Sequence, residues 1–304
     1  MGLSARVTSL EIKEGEVINM NGAYSVPMIM VASVSLLVQT THADVLFPPY
    51  NNTEAVWLFD EATGTKFFDA TTNNNTGSNT AGFSFDTTVK KFGQSSLHAA
   101  PFFSDQGGYV PDSVSLHALT NTFTVEGWFN LQSFVSFPTM ISREDGSTNA
   151  TAWAMGINGS NVAEVDIYDA TTRSLLFVRD SIVFPTNQFN HMAFTFSSGV
   201  LDLYRNGVLV GAATNASIHP AGVGQLLVGD CAHCGGSGAP GSANAFPWRG
   251  YIDEVRLSDI ARIPGDGSGT NNFLAFNQSL IPEPTSMALA SLGVAMILLR
   301  RCRR

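Results

Sequence analysis

The chain has 304 residues, of which 44% are apolar and only 13% are charged, a balance that suits one large folded domain with terminal signals. Abundant glycine and phenylalanine, with asparagine, serine and threonine in the intervening segments, are typical of secreted β-sandwiches and unfavourable for long helices. Between Asp44 and Ile281 there are 10 Lys/Arg and 21 Asp/Glu, a net charge of −11, which excludes nucleic acid as an expected partner because phosphate backbones repel such a domain.

Residues 1–43 are predicted to form a secretory signal region. The apolar run Val26–Val38 has the length of a signal-peptide core, and Thr41 and Ala43 place small residues at the −3 and −1 positions of a cleavage site after Ala43. Acidic residues outnumber basic ones before this run, so either the signal is atypical or the start codon is misassigned. A buried strand or an interfacial segment is the alternative interpretation.

Residues 44–268 are predicted to form one all-β domain, because apolar and polar residues alternate in many short segments. The segment 71–82 is almost entirely Asn, Thr, Ser and Gly, which predicts a surface loop. A single helical turn is expected at Ser113–Leu119. The other predicted strands are Glu54–Glu61, Phe67–Asp69, Ser95–Ala99, Tyr109–Pro111, Phe123–Asn130, Thr139–Ser142, Ala152–Ile157, Ala163–Tyr168, Ser174–Val178, Gln225–Gly229 and Trp248–Leu257.

The clearest local signal is a three-stranded antiparallel meander over residues 190–213. Its first two strands alternate apolar and polar side chains, and we expect Phe194, Phe196, Leu201 and Leu203 to face the core. The Asn206-Gly207 pair predicts a type I′ hairpin turn, since both residue types tolerate the positive φ that this turn requires. A dozen or more such short strands without a long helix imply two packed antiparallel sheets in one domain.

Three cysteines are present, and two of them, Cys231 and Cys234, lie close together in a glycine-rich loop. In an exported protein this spacing predicts a short-range disulfide, because the compartment is oxidising. A redox pair is the alternative, but nothing after Cys234 looks helical enough to lower a thiol pKa. Cys302, in the basic tail, is expected to be a free thiol.

The C-terminal residues 282–304 follow a linker, 269–281, and combine three features. Pro282-Glu283-Pro284 precedes the apolar run Met287–Leu299, a short apolar helix, and four arginines end the chain. This pattern resembles the PEP-CTERM sorting signal of exported proteins in Gram-negative bacteria. The resemblance implies recognition by an exosortase and delivery to the cell surface, outer membrane or extracellular matrix. An ordinary membrane anchor is the alternative, since 13 helical residues span about 20 Å of a ~30 Å hydrocarbon core.

Six motifs in order extend across residues 50–263. They are Trp-x-Phe-Asp-Glu-x-x-Gly (57–64), Phe-Gly-x-Ser (92–95), Phe-Thr-Val-Glu-Gly-Trp (123–128), His-Met-Ala-Phe-Thr (191–195), Leu-Tyr-x-Asn-Gly (203–207) and Gly-Tyr-Ile-Asp-Glu-Val-Arg (250–256). Together they resemble the LamG-like, concanavalin A-like jelly-roll family, which implies a two-sheet antiparallel jelly-roll sandwich. The tryptophan that this family usually carries before the His of His-Met-Ala is replaced here by Asn190.

The same resemblance implies a calcium ion that ties the first strand to the last. Asp253 matches the acidic position of the last strand, and Asp60 or Glu61 would supply the ligand from the first strand. Backbone carbonyls would complete the six to eight oxygens that calcium prefers. The alternative is that Asp253 is simply a hydrogen-bonded strand carboxylate.

A glycosidase is the enzymatic alternative. The segment Glu164–Asp169 resembles the Glu-x-Asp-x-x-Glu strand of laminarinase-type hydrolases, which implies Glu164 as nucleophile, Asp166 as its modulator and Asp169 as general acid. Residues two apart on a strand share a face, so Glu164 and Asp166 would point the same way. Asp169 lies at an odd spacing and would need a bulge to join them.

We therefore expect a non-enzymatic, exported protein that binds polysaccharide or another matrix component, with calcium as its cofactor. Trp128, Trp153 and Trp248 are candidates for stacking on sugar rings, although strands more often bury such large aromatic residues in the core. A glycoside hydrolase or lyase that uses Glu164, Asp166 and Asp169 and a purely structural matrix protein remain the alternatives.

Overall fold

The computed structural model describes residues 52–79, 82–99, 107–134, 137–146, 150–231, 246–265 and 271–273. This part of the chain contains sixteen strands and one short 3₁₀ helix at Ser115–Ala118, where a helical turn was predicted. The strands are β1 (Thr53–Trp57), β2 (Lys66–Phe67), β3 (Gly77–Asn79), β4 (Phe83–Asp86), β5 (Ser96–Ala99), β6 (Gly108–Val110), β7 (Thr122–Leu131), β8 (Thr139–Asp145), β9 (Ala150–Ile157), β10 (Val162–Tyr168), β11 (Leu175–Val183), β12 (Asn190–Ser197), β13 (Val200–Arg205), β14 (Val208–Thr214), β15 (Leu226–Val228) and β16 (Gly250–Ser258).

The strands form two antiparallel sheets. Sheet A has the order β14-β13-β12-β7-β16-β5-β4, and β1 also pairs with β16. Sheet B has the order β11-β10-β9-β8-β15-β6-β3-β2. The predicted two-sheet jelly-roll sandwich is therefore confirmed. Within the described residues, no helix has the length and apolar character that crossing a membrane requires.

Aromatic side chains from both sheets fill the space between them. Phe123 of β7 lies 5.7 Å from Phe194 of β12 and 6.0 Å from Trp153 of β9, measured between ring centroids. The meander strands β12 and β13 bury their predicted face, with Leu201 and Leu203 completely covered. The alternation seen in the sequence thus correctly identified the core side of sheet A.

The meander turns as predicted. Asn206 and Gly207 have φ of 50° and 76°, which are the positive values of a type I′ turn. The Asn206 side-chain oxygen also accepts a hydrogen bond from the His191 backbone N–H at 2.8 Å. The turn residue therefore holds β13 in register with the start of β12.

The predicted surface loop at 71–82 is confirmed only in part, because residues 71–76 form a loop but Gly77–Asn79 form a strand. Gly77 begins strand β3, and a Cβ atom at this glycine would lie 2.0 Å from the Phe67 ring, so the close packing requires glycine. Asn75 is buried, with 4% of its surface exposed, but its polar groups have partners. Its side-chain amide donates to the Glu54 carbonyl at 2.7 Å, and its backbone carbonyl accepts from Trp57 Nε1. The polar composition of this segment therefore did not indicate exposure, since hydrogen bonds offset the cost of burying its polar groups.

The first strand is shorter than predicted. It ends at Trp57, not at Glu61, because Phe59 and Ala62 adopt positive φ of 57° and 58° and cannot continue a strand. This irregular segment carries Asp60 away from β1 and towards the loop that precedes β5, whereas Glu61 Oε1 accepts a hydrogen bond from the Phe68 backbone N–H.

Candidate functional site

Two groups of charged side chains lie outside the core. The β10–β11 patch consists of Glu164, Asp166, Tyr168, Phe177 and Arg179 on the outer face of sheet B. The second group, the loop site, consists of Asp60 and Asp253, which bind the loop Lys91–Ser95 beside sheet A, and of their chain neighbours Glu61 and Glu254.

Strand pairing places the β10–β11 patch on one face. Phe177 of β11 lies opposite Asp166, and Arg179 lies opposite Glu164. Ala163, Val165 and Ile167 are completely buried, so the alternating residues of β10 point away from the core. On the other side of β10, the partners of Asp166 and Glu164 are Ala154 and Gly156, which carry no side chain larger than a methyl group.

The two carboxyl groups of the patch lie on one strand face, and Arg179 is the cation that acts on both. Glu164 Oε2 accepts a hydrogen bond from Asn158 Nδ2 at 2.8 Å and another from Arg179 Nε. Burial, followed by the negative charge of Glu164, raises the pKa of Asp166 to about 7, although Arg179 acts in the opposite direction. At a pKa of about 7, Asp166 carries its proton below neutral pH and loses it above.

An exposed aromatic ring lies next to this pair. The Phe177 side chain is 45% exposed, and the Arg179 guanidinium lies 4.6 Å from its ring centroid. Tyr168, two residues after Asp166, is partly exposed and has the Arg173 guanidinium 5.1 Å from its ring. The patch therefore combines two aromatic rings with a hydrogen-bonding carboxyl pair.

Asp169 does not belong to this patch. It lies in the turn after β10, is 4% exposed and accepts hydrogen bonds from the backbone N–H groups of Thr172 and His219 at 2.7 and 2.9 Å. These hydrogen bonds lower its pKa to about 2, which leaves it ionised at neutral pH. The structure thus brings Glu164 and Asp166 together but leaves the predicted general acid as a turn-forming carboxylate.

The three tryptophans named as candidates for sugar stacking are all buried. Trp128 is 3% exposed, and Trp153 and Trp248 are completely buried, which confirms the expectation that strands bury such rings and leaves them no exposed face for stacking on a sugar. Phe177, which is exposed, was not singled out. The alternation of Phe177 and Arg179 with Leu176 and Val178 in β11 was the signal available in the sequence.

At the loop site, carboxylates from both ends of the domain bind one loop. Asp253 Oδ2 accepts hydrogen bonds from the backbone N–H groups of Lys91 and Phe92 at 2.7 and 3.2 Å. Asp60 Oδ1 accepts from the N–H groups of Gln94 and Ser95. The last strand, β16, and the segment that follows β1 therefore both bind the backbone of this loop.

A bulge in β16 sets the position of Asp253. The register with β7 shifts between Asp253 and Arg256, and Glu254 has a φ of 45°. The extra residue turns Val255 into the core and returns Arg256 to the face that also carries Asp253. Simple alternation in the sequence does not predict this arrangement.

One oxygen of the Asp253 carboxylate has no hydrogen-bond partner. Its Oδ1 atom is buried, and burial together with the charges of Glu254 and Asp60 raises the pKa of Asp253 well above its usual range. Glu61 has a similar unsatisfied oxygen, Oε2, and burial raises its pKa to about 7. Such oxygens fit a hard cation, although no group of three or more His, Cys, Asp or Glu side chains within the described ranges is arranged to hold one.

Of the remaining predicted site residues, only Cys231 lies within the described part of the chain. Cys231 is completely buried and disulfide-bonded. Cys234 lies outside the described residues, so its pairing with Cys231 stays a prediction. Pro282, Glu283 and Pro284 of the predicted sorting signal also lie outside them.

Solved structures with a similar fold include three that contain sugar-related ligands. Domain 4 of AbnA, an extracellular arabinanase from Geobacillus stearothermophilus in complex with arabinotriose, is 19% identical, with 68% of this chain and 92% of that chain covered and a TM-score of 0.49. The binding domain of botulinum neurotoxin DC in complex with SialylT is 11% identical, with 69% and 48% covered and a TM-score of 0.49. The Trypanosoma rangeli sialidase with 2,3-difluorosialic acid is 12% identical, with 67% and 30% covered and a TM-score of 0.46.

Sequence comparison identifies the family. No curated protein matches the chain. The family model described as the concanavalin A-like lectin/glucanases superfamily, however, matches residues 103–266, more than half of the chain. The matched segment includes strands β7 to β16, which make up most of both sheets, so this chain belongs to the concanavalin A-like lectin/glucanase superfamily.

Proposed function

We propose that this domain is a non-catalytic carbohydrate-recognition module that binds a glycan, as part of a polysaccharide or another matrix component, at the β10–β11 patch. The observation that carries the proposal is the position of Phe177, 45% exposed and directly opposite the carboxyl group of Asp166. Membership of a superfamily named for lectins and glucanases supports a carbohydrate ligand.

The chemistry of the patch suits a sugar. The C–H face of a sugar ring packs on an aromatic ring, and Phe177 offers such a surface. Sugar hydroxyls donate hydrogen bonds, and the Glu164 and Asp166 carboxyl oxygens accept them. A binding site of this kind needs a mainly apolar contact with a few well-placed polar groups.

The same geometry favours binding over hydrolysis. Retaining glycosidases hold their two carboxyl groups about 5–5.5 Å apart, and inverting enzymes hold them farther apart. Glu164 accepts hydrogen bonds from Asn158 and Arg179, and Asp169, which the resemblance implies as general acid, is held in a turn away from the patch. If the purified domain releases reducing sugar, and Glu164→Gln abolishes that release, the glycosidase alternative is correct.

Replacing Phe177 with alanine should weaken glycan binding about tenfold or more, because the stacking surface is removed. A glycan array followed by titration calorimetry with the best ligand measures this effect. Phe68→Ala is the matched control, since Phe68 is 42% exposed and lies on a different part of the surface. Equal affinities for Phe177→Ala and the parent protein would exclude the patch, and silence of the parent protein on the array would favour a structural matrix role.

We also propose that calcium binds at the loop site through Asp253, with Asp60 or Glu61 as the second carboxylate. The unsatisfied Oδ1 of Asp253 supports this assignment. When bound, the ion would neutralise the acidic residues and hold β16 to the segment after β1. The rest of its oxygen ligands would come from the backbone and water.

Saturating calcium should raise the thermal unfolding midpoint of the EDTA-treated domain by about 5 °C or more. Without calcium, the raised pKa of Asp253 makes the folded state bind a proton more tightly than the unfolded chain, so stability should fall as pH rises above the ordinary carboxylate pKa. Calcium should suppress this loss. An unchanged midpoint on adding calcium to metal-free protein would show that the site is wrong.

Two variants separate ion binding from general charge effects. Asp253→Asn retains an oxygen acceptor for the loop N–H groups but removes the buried charge, so it should unfold at the same or a higher temperature without calcium and should lose the response to calcium. Asp202→Asn, in a half-buried carboxylate of β13, should keep that response.

Export completes the proposal and rests on the sequence motifs alone. The signal region 1–43 would direct secretion, and the segment 282–304 would be recognised by exosortase-type machinery, with transient or lasting membrane anchoring through its apolar run. The glycan-binding domain would then face the cell exterior, where polysaccharide and matrix components are present.

A further inference from the structure

The β10–β11 patch has more acidic side chains than basic ones. Glu164 and Asp166 contribute two carboxyl groups, whereas Arg179 contributes one guanidinium that contacts Glu164. Arg173, the next arginine along the chain, pairs with Asp145 at 3.3 Å and donates to the Thr151 carbonyl at 2.7 Å. Its charge is therefore already compensated at the edge of the patch.

The neighbouring elements supply no second cation to Asp166 within the described residues. On β9 its neighbours are Ala154 and Gly156, which do not titrate. On β10 the flanking groups are Glu164 and Tyr168, and burial followed by the charge of Asp166 raises the tyrosine pKa above its usual value, so the phenol stays neutral. On β11 only Arg179 faces it with a positive charge.

The proton on the Asp166 carboxyl group therefore supplies the positive charge that a cationic group of a ligand could supply instead. Burial and the neighbouring charge of Glu164 raise the pKa of Asp166 to about 7, so Asp166 retains a proton up to neutral pH beside a carboxylate that lies two residues away on the same strand face. A positive group on a ligand relieves this repulsion in the same way. The proton then passes to solvent, so the charge of the site is conserved.

We propose that the glycan recognised at the β10–β11 patch contains amino sugars with a free ammonium group, which binds between Glu164 and Asp166 while the sugar ring packs on Phe177. This inference rests on the proposed glycan-binding function and specifies its ligand class. The net charge of −11 over residues 44–281 acts in the same direction, since it attracts cationic polymers and repels uronic and sialic acids.

Four oligosaccharides of equal length provide the test: a tetramer of β-1,4-linked glucosamine, its N-acetylated counterpart, a neutral glucose tetramer and a tetramer of uronic acid. The glucosamine tetramer should bind about tenfold more tightly than the two uncharged tetramers, and the uronic acid tetramer most weakly, because one partly buried charge pair is worth about a factor of ten. Titration calorimetry in buffers of different ionisation enthalpy should show proton release with the glucosamine tetramer alone. Its affinity should pass through a maximum with pH, rising as Asp166 ionises and falling as the amine loses its proton.

Two variants identify the group responsible. Asp166→Asn should reduce the ratio of glucosamine to glucose affinity from about tenfold towards one and abolish proton release. Asp202→Asn, which removes a carboxylate elsewhere on the surface, should keep the ratio of the parent protein. Thermal unfolding midpoints of both variants establish that each is folded.

The outcomes separate the two proposals. Equal binding of the glucosamine and glucose tetramers, or a preference that survives Asp166→Asn, overturns the amino-sugar assignment but leaves glycan binding at Phe177 intact. Binding that is insensitive to Phe177→Ala overturns the patch itself. If none of the four tetramers binds the parent protein, the amino-sugar assignment is overturned, and the glycan array decides separately whether the patch binds another glycan.

Discussion

Replacing Arg256 with methionine should lower the free energy of unfolding by about 3–5 kcal/mol, because it leaves a buried carboxylate without its guanidinium partner. Arg256 Nε donates to Glu126 Oε1 at 2.7 Å, and Arg256 Nη2 donates to the same oxygen. His191 Nε2 lies 3.0 Å from the other oxygen, and both Glu126 and His191 are completely buried. Urea unfolding monitored by tryptophan fluorescence measures the loss.

A double variant tests the physical reason. Glu126→Gln combined with Arg256→Met removes both charges, so the double variant should be more stable than Arg256→Met alone. A loss below about 1 kcal/mol for Arg256→Met would show that water reaches the pair and screens it as at an exposed surface.

This network explains three of the sequence motifs. Glu126 belongs to Phe-Thr-Val-Glu-Gly-Trp, His191 to His-Met-Ala-Phe-Thr and Arg256 to the last strand motif, and they meet on neighbouring strands of sheet A. Arg256 Nη2 also donates to the Asn272 carbonyl, which attaches the segment 271–273 to the same face. The motifs that identify the family are therefore parts of the scaffold.

Replacing Trp153 with alanine should also lower the free energy of unfolding by about 3–5 kcal/mol, the usual range for truncating a large buried aromatic residue. Its ring is completely buried and lies 5.5 Å from the Phe194 ring. Phe177→Ala, by contrast, should change stability by less than about 1 kcal/mol, because surface substitutions have small effects. Thermal and urea unfolding of the two variants provide the comparison.

Trp153→Phe serves as the control for cavity formation, since it retains a ring and should lose less stability than Trp153→Ala. If Trp153→Ala instead keeps its stability and loses glycan binding, the tryptophan is part of the ligand site and the assignment to Phe177 is wrong.

Only part of the candidate sites could be predicted from the sequence. The positions of Glu164 and Asp166 on one face followed from the two-residue period of a strand, and the structure agrees. Asp169 was misassigned because a turn after β10 uses its carboxylate as an acceptor for backbone N–H groups. Trp153 is buried and Phe177 is exposed because the other sheet covers the strand face that carries Trp153 and not the face that carries Phe177.

By itself the sequence determined most of the longer strands, the Asn206-Gly207 turn and the core side of the meander, because alternation and turn chemistry are local properties of the chain. Only the tertiary structure decided the bulge at Glu254, the burial of Glu126 with Arg256 and the edge position of β11 that leaves Phe177 exposed. These features depend on pairing between residues far apart in the chain, where the hydrogen bonds and charges of one strand are satisfied by another.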